Sequence, residues 1–127
     1  MTLEDIKYRT YKFSVNVIKF LKEQDWNNRV NEPFFRQLIR SSTSIGANVV
    51  EGRSGNSDRE MAKYYRIALK SANETKYWLC LMRDALEIKD KRLSELLNEV
   101  TEISKILGAS IISISKKLKV PSQKPKE

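Results

Sequence analysis

Between residues 93 and 118, apolar side chains recur at every third or fourth position. The stripe consists of Leu93, Leu96, Val100, Ile103, Leu107, Ile111, Ile114 and Leu118. This spacing places all of them on one side of an α-helix. The chain has only four glycines and three prolines in 127 residues, and two of the prolines lie in the last seven positions. So few helix breakers favour long helices over a β-rich fold.

Four helical segments are predicted, separated by short polar stretches. They cover residues 3–24, 32–51, 57–86 and 90–118. Asn31 is the expected N-cap of the second helix, and Ser57 with Glu60 has the spacing of a capping box at the start of the third. Long helices with short connections predict an all-α, antiparallel up-down-up-down four-helix bundle over residues 1–120. Residues 121–127 are expected to form a flexible basic tail.

Apolar stripes on the other helices supply the rest of the expected core. On the first helix they are Ile6, Phe13, Val17, Phe20 and Leu21. On the third they are Met61, Tyr64, Tyr65, Ala68, Ala72, Thr75, Leu79 and Met82.

Composition excludes several classes of protein. The single cysteine, Cys80, cannot form an intrachain disulfide and indicates a reducing compartment. No apolar run approaches the ~18 residues of a membrane span, and the N-terminus lacks the apolar core of a signal peptide. We therefore expect a cytoplasmic protein that does not bind membranes. Without histidine there is no conventional catalytic triad or zinc site, so we expect no enzyme activity, metal or cofactor.

The chain carries a net charge of +8, with many of its cations predicted on outward helix faces. A basic domain attracts polyanions, although a solvated helix face is the other interpretation of such residues. No RNA-recognition motif, zinc finger or helix-turn-helix accompanies them, so binding would depend on shape and charge. The predicted nucleic-acid contacts are Arg36, Arg40, Arg53, Arg59, Lys63, Arg66 and Lys70.

Two helices carry a second apolar stripe opposite the core stripe. A monomeric bundle cannot bury both sides of a helix, and an exposed apolar surface of this extent usually marks an interface. The alternative is that each helix needs a wide apolar arc because it touches two neighbours. The predicted self-association surface consists of Tyr8, Tyr11, Val15, Ile18, Tyr77, Trp78 and Leu81.

A polar flank runs along the second helix. Gln37, Ser41, Ser44, Asn48 and Glu51 fall within about 80° of arc. Small residues permit close helix approach, and buried polar groups must find partners. We therefore expect a structural network in which Asn48 and Glu51 order the helix end and the turn that follows.

Two segments resemble the four-helix bundle family of 23S rRNA intervening-sequence proteins. They are QLIRSSTSIGANVVEGRSG at residues 37–55 and REMAKYYRIALKSANETKYWL at residues 59–79. The family pattern is a Ser-x-x-x-Asn-x-x-Glu-Gly helix end followed by a helix with Ala-x-x-Ser-x-x-Glu. The matching residues are Ser44, Asn48, Glu51 and Gly52, then Ala68, Ser71 and Glu74. At Gly46 the chain departs from the family, in which a proline is common.

The family in turn is similar to the accessory variability determinant proteins of diversity-generating retroelements. The resemblance implies a ring, most simply a homopentamer, that associates with structured RNA or DNA. It also implies a protein partner such as a reverse transcriptase. The alternative is a protein-interaction scaffold with no nucleic-acid role.

Overall fold

A computed structural model describes residues 3–55 and 57–122, with side chains described for residues 6–55 and 57–119. It contains four α-helices: α1 (Leu3–Lys22), α2 (Asn31–Gly52), α3 (Asp58–Asp84) and α4 (Lys91–Ser122). Each helix packs antiparallel against the next, and α4 closes the bundle against α1. The predicted all-α bundle is confirmed. Within the described residues, no helix combines the length and the apolar character that crossing a membrane requires.

The helices at opposite corners of the bundle do not approach each other closely. Across the part of the chain that the structure describes, no Cα atom of α1 lies within 8 Å of one in α3, and none of α2 lies within 8 Å of one in α4. The outward faces of α1 and α3 therefore point in opposite directions. A partner bound to one of these faces leaves the other accessible.

The core is formed by the predicted stripes. All five expected positions of α1 are buried, and α3 buries six of its eight: Tyr65, Ala68, Ala72, Thr75, Leu79 and Met82. In α4 the stripe is buried from Leu93 to Leu107 and again at Ile114, while Ile111 and Leu118 are half-buried against the core. The helix α2 adds Phe35, Leu38, Ile45 and Val49.

The starts of α2 and α3 differ in how far they follow the prediction. Ser57 accepts a hydrogen bond from the Glu60 amide at 3.2 Å, as expected for the N-cap of α3. The predicted N-cap of α2 was wrong, because Asn31 is already helical. The Asn28 carboxamide oxygen instead accepts the amides of Val30 at 2.9 Å and Asn31 at 3.1 Å. An Asn three residues earlier thus takes the role through a local turn.

The fourth helix begins one residue after its predicted start and ends four residues after its predicted end. Its N-cap is Asp90, whose carboxylate accepts the Arg92 amide at 2.9 Å. The helix continues to Ser122 rather than ending near Leu118. The last five positions of the predicted tail, 123–127, lie outside the described residues.

Two glycines of α2 bring neighbouring helices close to its backbone. A Cβ atom at Gly46 would lie 3.4 Å from the backbone carbonyl of Thr10 in α1. A Cβ atom at Gly52 would lie 3.1 Å from the Tyr64 Cβ and 3.2 Å from the Tyr65 ring in α3. The contact at Gly46 is an ordinary van der Waals distance, whereas that at Gly52 is tight enough for the missing side chain to bring α2 and α3 closer together.

Candidate nucleic-acid interface

Four cations form a row along the outward face of α3, here called the α3 cation row: Arg59, Lys63, Arg66 and Lys70. All four are exposed. Their spacing confines them to about 60° of arc and spreads them over roughly 16 Å of helix. Among the side chains that the structure describes, no acidic group forms an ion pair with any of the four. The row therefore presents four uncompensated positive charges.

The contacts that these cations do make are with neutral groups. The Lys63 ammonium lies 5.4 Å from the centre of the Tyr64 ring, within the range of a cation–π interaction. A guanidinium nitrogen of Arg66 donates a long 3.4 Å hydrogen bond to Ser115 in α4. Neither contact removes charge, so both side chains keep their attraction for an anion.

The cations predicted on α2 have acidic partners. Arg36 forms an ion pair with Glu32 one turn earlier in the same helix. Arg40 forms an ion pair with Glu74 in α3. Because the partner carboxylates compensate their charge, these two arginines attract a polyanion less than the α3 cation row does.

Arg53 is half-buried at the α2–α3 turn, beside the buried Tyr65 side chain. Burial raises the pKa of the Tyr65 hydroxyl above its ordinary value, and the nearby Arg53 guanidinium opposes that rise. This position makes Arg53 part of the packing between α2 and α3. Of the seven predicted cations, only the four on α3 form one exposed row.

The polar flank of α2 packs against α3, and five side chains at this contact form what we call the polar ladder. The Thr75 hydroxyl lies 2.8 Å from the Ser41 hydroxyl, and the Ser71 hydroxyl lies 3.0 Å from that of Ser44. The Asn48 carboxamide donates to the Ser44 carbonyl at 2.8 Å and to its hydroxyl at 3.0 Å. These bonds satisfy polar groups between two closely packed helices.

A second cluster continues the contact towards the start of α2. Glu74 accepts a hydrogen bond from the Trp78 indole at 2.9 Å and pairs with Arg40. The Gln37 carboxamide oxygen accepts a 2.9 Å hydrogen bond from the same Arg40 guanidinium. Of the predicted family-motif residues of α3, Ser71 thus bonds to the polar flank of α2 at Ser44, and Glu74 bonds to Arg40 beside that flank.

The end of α2 is ordered differently from the expectation. The Asn48 carboxamide bonds to Ser44 and not to the following turn. It lies four residues after Ser44, one helical turn away, and so reaches the Ser44 backbone carbonyl. The backbone carbonyl of Glu51 accepts the Ser54 hydroxyl at 2.8 Å and holds the turn. The contribution of Gly52 is its close approach to Tyr64.

Chemically, the ladder contains hydroxyls and a carboxamide. None of these groups takes up a proton near neutral pH, so none can serve as a general base there. Within the described residues, no group of three or more histidine, cysteine, aspartate or glutamate side chains is placed to hold a metal ion.

The apolar residues predicted on α1 form a row along its outward face, here called the α1 seam: Tyr8, Tyr11, Val15 and Ile18. Their spacing of three, four and three residues is that of the contact positions in a coiled coil. Tyr8 and Tyr11 are each 65% exposed, and Ile18 is also exposed. Beside them lies a depression of about 390 Å³ between Tyr11 and the exposed Val50 of α2. The seam is thus wider than the sequence indicated.

The apolar residues predicted on α3 do not join the α1 seam, because they lie on the opposite side of the bundle. Trp78 is half-buried, with its ring 5.9 Å from that of Phe34 in α2. Leu81 is also half-buried. Tyr77 remains 59% exposed, with its ring 5.4 Å from Trp78 in an edge-to-face arrangement.

Two features of these surfaces were not predicted from the sequence. Thr75 is a buried member of the core stripe, but its hydroxyl also bonds across to Ser41, and the small polar side chain was the available signal. The Arg40–Glu74 pair has no local signal, because the partners are far apart in the chain.

Comparison with known proteins places this geometry in a family. The family model described as 23S rRNA-intervening sequence protein matches residues 5–109. Among solved structures, the chain is similar to a protein of unknown function from the S23 ribosomal protein family of Bacteroides thetaiotaomicron. That similarity has 34% sequence identity and a TM-score of 0.76, and it covers 84% of this chain and 97% of the other. No curated protein matches. The chain belongs to the 23S rRNA-intervening sequence protein family.

Proposed function

We propose that this protein is a non-enzymatic, self-associating bundle that binds structured RNA or other nucleic acid through the outward face of α3. The observation that carries the proposal is the α3 cation row, in which four exposed cations lack acidic partners among the described side chains. Like charges on one helix face repel, and a phosphate backbone relieves that repulsion. The name of the family, which refers to ribosomal RNA, is consistent with such a ligand.

Self-association is the second part of the proposal and uses the α1 seam. Because α1 and α3 lie at opposite corners of the bundle, copies joined through α1 keep the α3 cation row accessible. Several rows on one assembly would bind a long polyanion more tightly than a single row. Five copies is the number that the resemblance to retroelement accessory proteins implies.

The test is a mobility-shift titration of a structured RNA at about 50 and about 200 mM salt. The wild type is compared with Arg66→Glu/Lys70→Glu and with a control, Lys91→Glu/Lys105→Glu on α4. Each double variant lowers the net charge from +8 to +4, because each reversal removes two charges. Both control lysines lie on α4, where Lys91 is near Glu95 and Lys105 is near Glu102. Their substitution therefore changes the net charge and leaves the α3 cation row unaltered.

We expect the α3 variant to bind far more weakly than the control variant. The wild-type affinity should fall with a log–log salt slope of about −3 for each row engaged, since four phosphate contacts contribute about −0.7 to −0.9 each. Equal weakening in both variants would show that net charge alone attracts RNA. If the wild type does not shift RNA at low salt, nucleic-acid binding is wrong and the scaffold alternative stands.

A further inference from the structure

The outward face of α3 continues beyond its cations to an exposed aromatic side chain. Lys63, Lys70 and Tyr77 recur at intervals of seven residues, and each such step turns only about 20° around a helix. Tyr77 therefore lies on the same line as the cations, about 10 Å beyond Lys70. It is 59% exposed and faces away from the α1 seam, since α1 and α3 occupy opposite corners.

The Tyr77 ring is held from one side. Trp78 lies against it with ring centres 5.4 Å apart and an interplanar angle of 66°. Trp78 is itself fixed by its indole hydrogen bond to Glu74 and by the Phe34 ring of α2. A tyrosine supported in this way presents an ordered aromatic surface to solvent.

We propose that Tyr77 is a base-stacking residue and that the outward face of α3 binds a single-stranded stretch of nucleic acid. This inference rests on the proposed function and narrows its ligand. Proteins that bind single strands combine a positively charged track for the backbone with aromatic side chains on which bases stack. A duplex keeps its bases paired and offers only phosphates to the cations, so Tyr77 contributes little to duplex binding.

The same inference removes Tyr77 from the self-association surface. The α3 cation row precedes Tyr77 on the same face, and repulsion between like charges disfavours packing this basic face against the same face of another copy. A polyanion that runs along the face meets both the charges and the ring. The alignment of Tyr77 with the cations, the packing of Trp78 against its ring and the positive charge of the face all favour a single strand of nucleic acid as the ligand.

The experiment measures fluorescence anisotropy of a labelled, unstructured single-stranded RNA and of a blunt duplex containing the same strand. The proteins are the wild type, Tyr77→Ala and Tyr77→Phe, with Tyr8→Phe as a control on α1. We expect Tyr77→Ala to weaken single-strand binding by about fivefold or more, because loss of one base–aromatic stack has at least that effect. Tyr77→Phe keeps the ring and should bind like the wild type. Duplex binding should change by less than about twofold in every variant.

Three results would overturn the inference while leaving the proposed function intact. These are a change below twofold for Tyr77→Ala on the single strand, equal weakening on both ligands, or loss of the oligomer in Tyr77→Ala by light scattering. Failure of the wild type to bind either RNA at low salt would instead overturn the proposed function. Circular dichroism verifies that each variant is folded.

Discussion

At the scale of single residues, the family motif is a set of hydrogen bonds between α2 and α3. Ser44 receives the Asn48 carboxamide and the Ser71 hydroxyl, so one small side chain joins two helices. A larger residue at position 44 would separate the helices, and an apolar residue would leave its partners unsatisfied. The recurrence of Ser, Asn and Ser in the family pattern thus has a packing reason that requires no catalysis.

Replacing Asn48 with Ala tests this structural account. The variant loses two hydrogen bonds to Ser44 and gains some helix propensity, so the exposed Asn98→Ala in α4 serves as the control for propensity. We expect Asn48→Ala to be less stable than Asn98→Ala by about 1 kcal/mol, or roughly 4 °C in melting temperature. Thermal melts followed by circular dichroism measure the difference. Unchanged melting combined with lost RNA binding would make Asn48 a binding residue instead.

At the scale of helices, the approach of α2 to α3 depends on Gly52. Its substitution by Ala places a Cβ atom 3.1 Å from the Tyr64 Cβ, which is attached directly to the α3 backbone, and 3.2 Å from the ring of the fully buried Tyr65. We expect a loss of about 1–3 kcal/mol from overpacking. Gly108→Ala is the matched control, because nothing lies within 4 Å of its Cβ. It should raise stability by about 0.5–1 kcal/mol. Urea denaturation measures the change in the free energy of unfolding for each variant. Equal changes in the two variants would contradict a close approach of α2 to α3 at Gly52.

The helices themselves were predictable because each carries an apolar stripe with the period of an α-helix. The α4 stripe and the five core residues of α1 needed only that periodicity. Which basic residues have an acidic partner was not predictable in every case, since the acid that pairs with Arg40 lies on another helix. The same limit applies to Trp78, whose direction depends on how α2 and α3 are rotated against each other. The local sequence pattern assigns a residue to one face of its helix, whereas its contacts with other helices depend on how the helices pack.

The start of α4 should make stability depend on pH in the acid range. Hydrogen bonds from the Arg92 side chain and amide lower the pKa of Asp90 to about 2. An unfolded aspartate titrates near 3.9, so this ionised cap stabilises the fold above pH 4 and loses the effect as the pH falls towards 2. Asp90→Asn retains an N-cap residue without the charge, whereas Asp90→Ala loses both.

We therefore expect the wild type to melt above Asp90→Asn at pH 5–7, and the two melting temperatures to converge near pH 2. Asp90→Ala should lie below both at every pH. Melting curves collected from pH 7 down to pH 2 test the convergence. A difference that stays constant over this range would show that the charge on Asp90 contributes nothing.

At the scale of the whole molecule, the bundle has two unlike outward faces. The α1 seam is apolar, with coiled-coil spacing, while the outward face of α3, on the opposite side of the bundle, is lined with cations. A seam that pairs with itself would give a closed dimer, whereas a ring requires two different surfaces in each contact. Measured mass separates these outcomes, since one chain is 14.8 kDa and a pentamer has five times that mass.

The same substitution on the two faces locates the contact. Tyr11 and Tyr77 are both largely exposed, at 65% and 59%, so a glutamate at either position should leave the fold intact. In the α1 seam, Tyr11→Glu would bury an unpaired carboxylate between copies, which is strongly unfavourable, and we expect the monomer mass. Tyr77→Glu should keep the mass of the wild-type assembly, because α3 faces away from the contact.

Light scattering after size exclusion, over a range of protein concentrations, measures the mass of both variants. A wild type that stays at 14.8 kDa when concentrated has no self-association. Dissociation by Tyr77→Glu alone would move the interface to α3 and away from the seam.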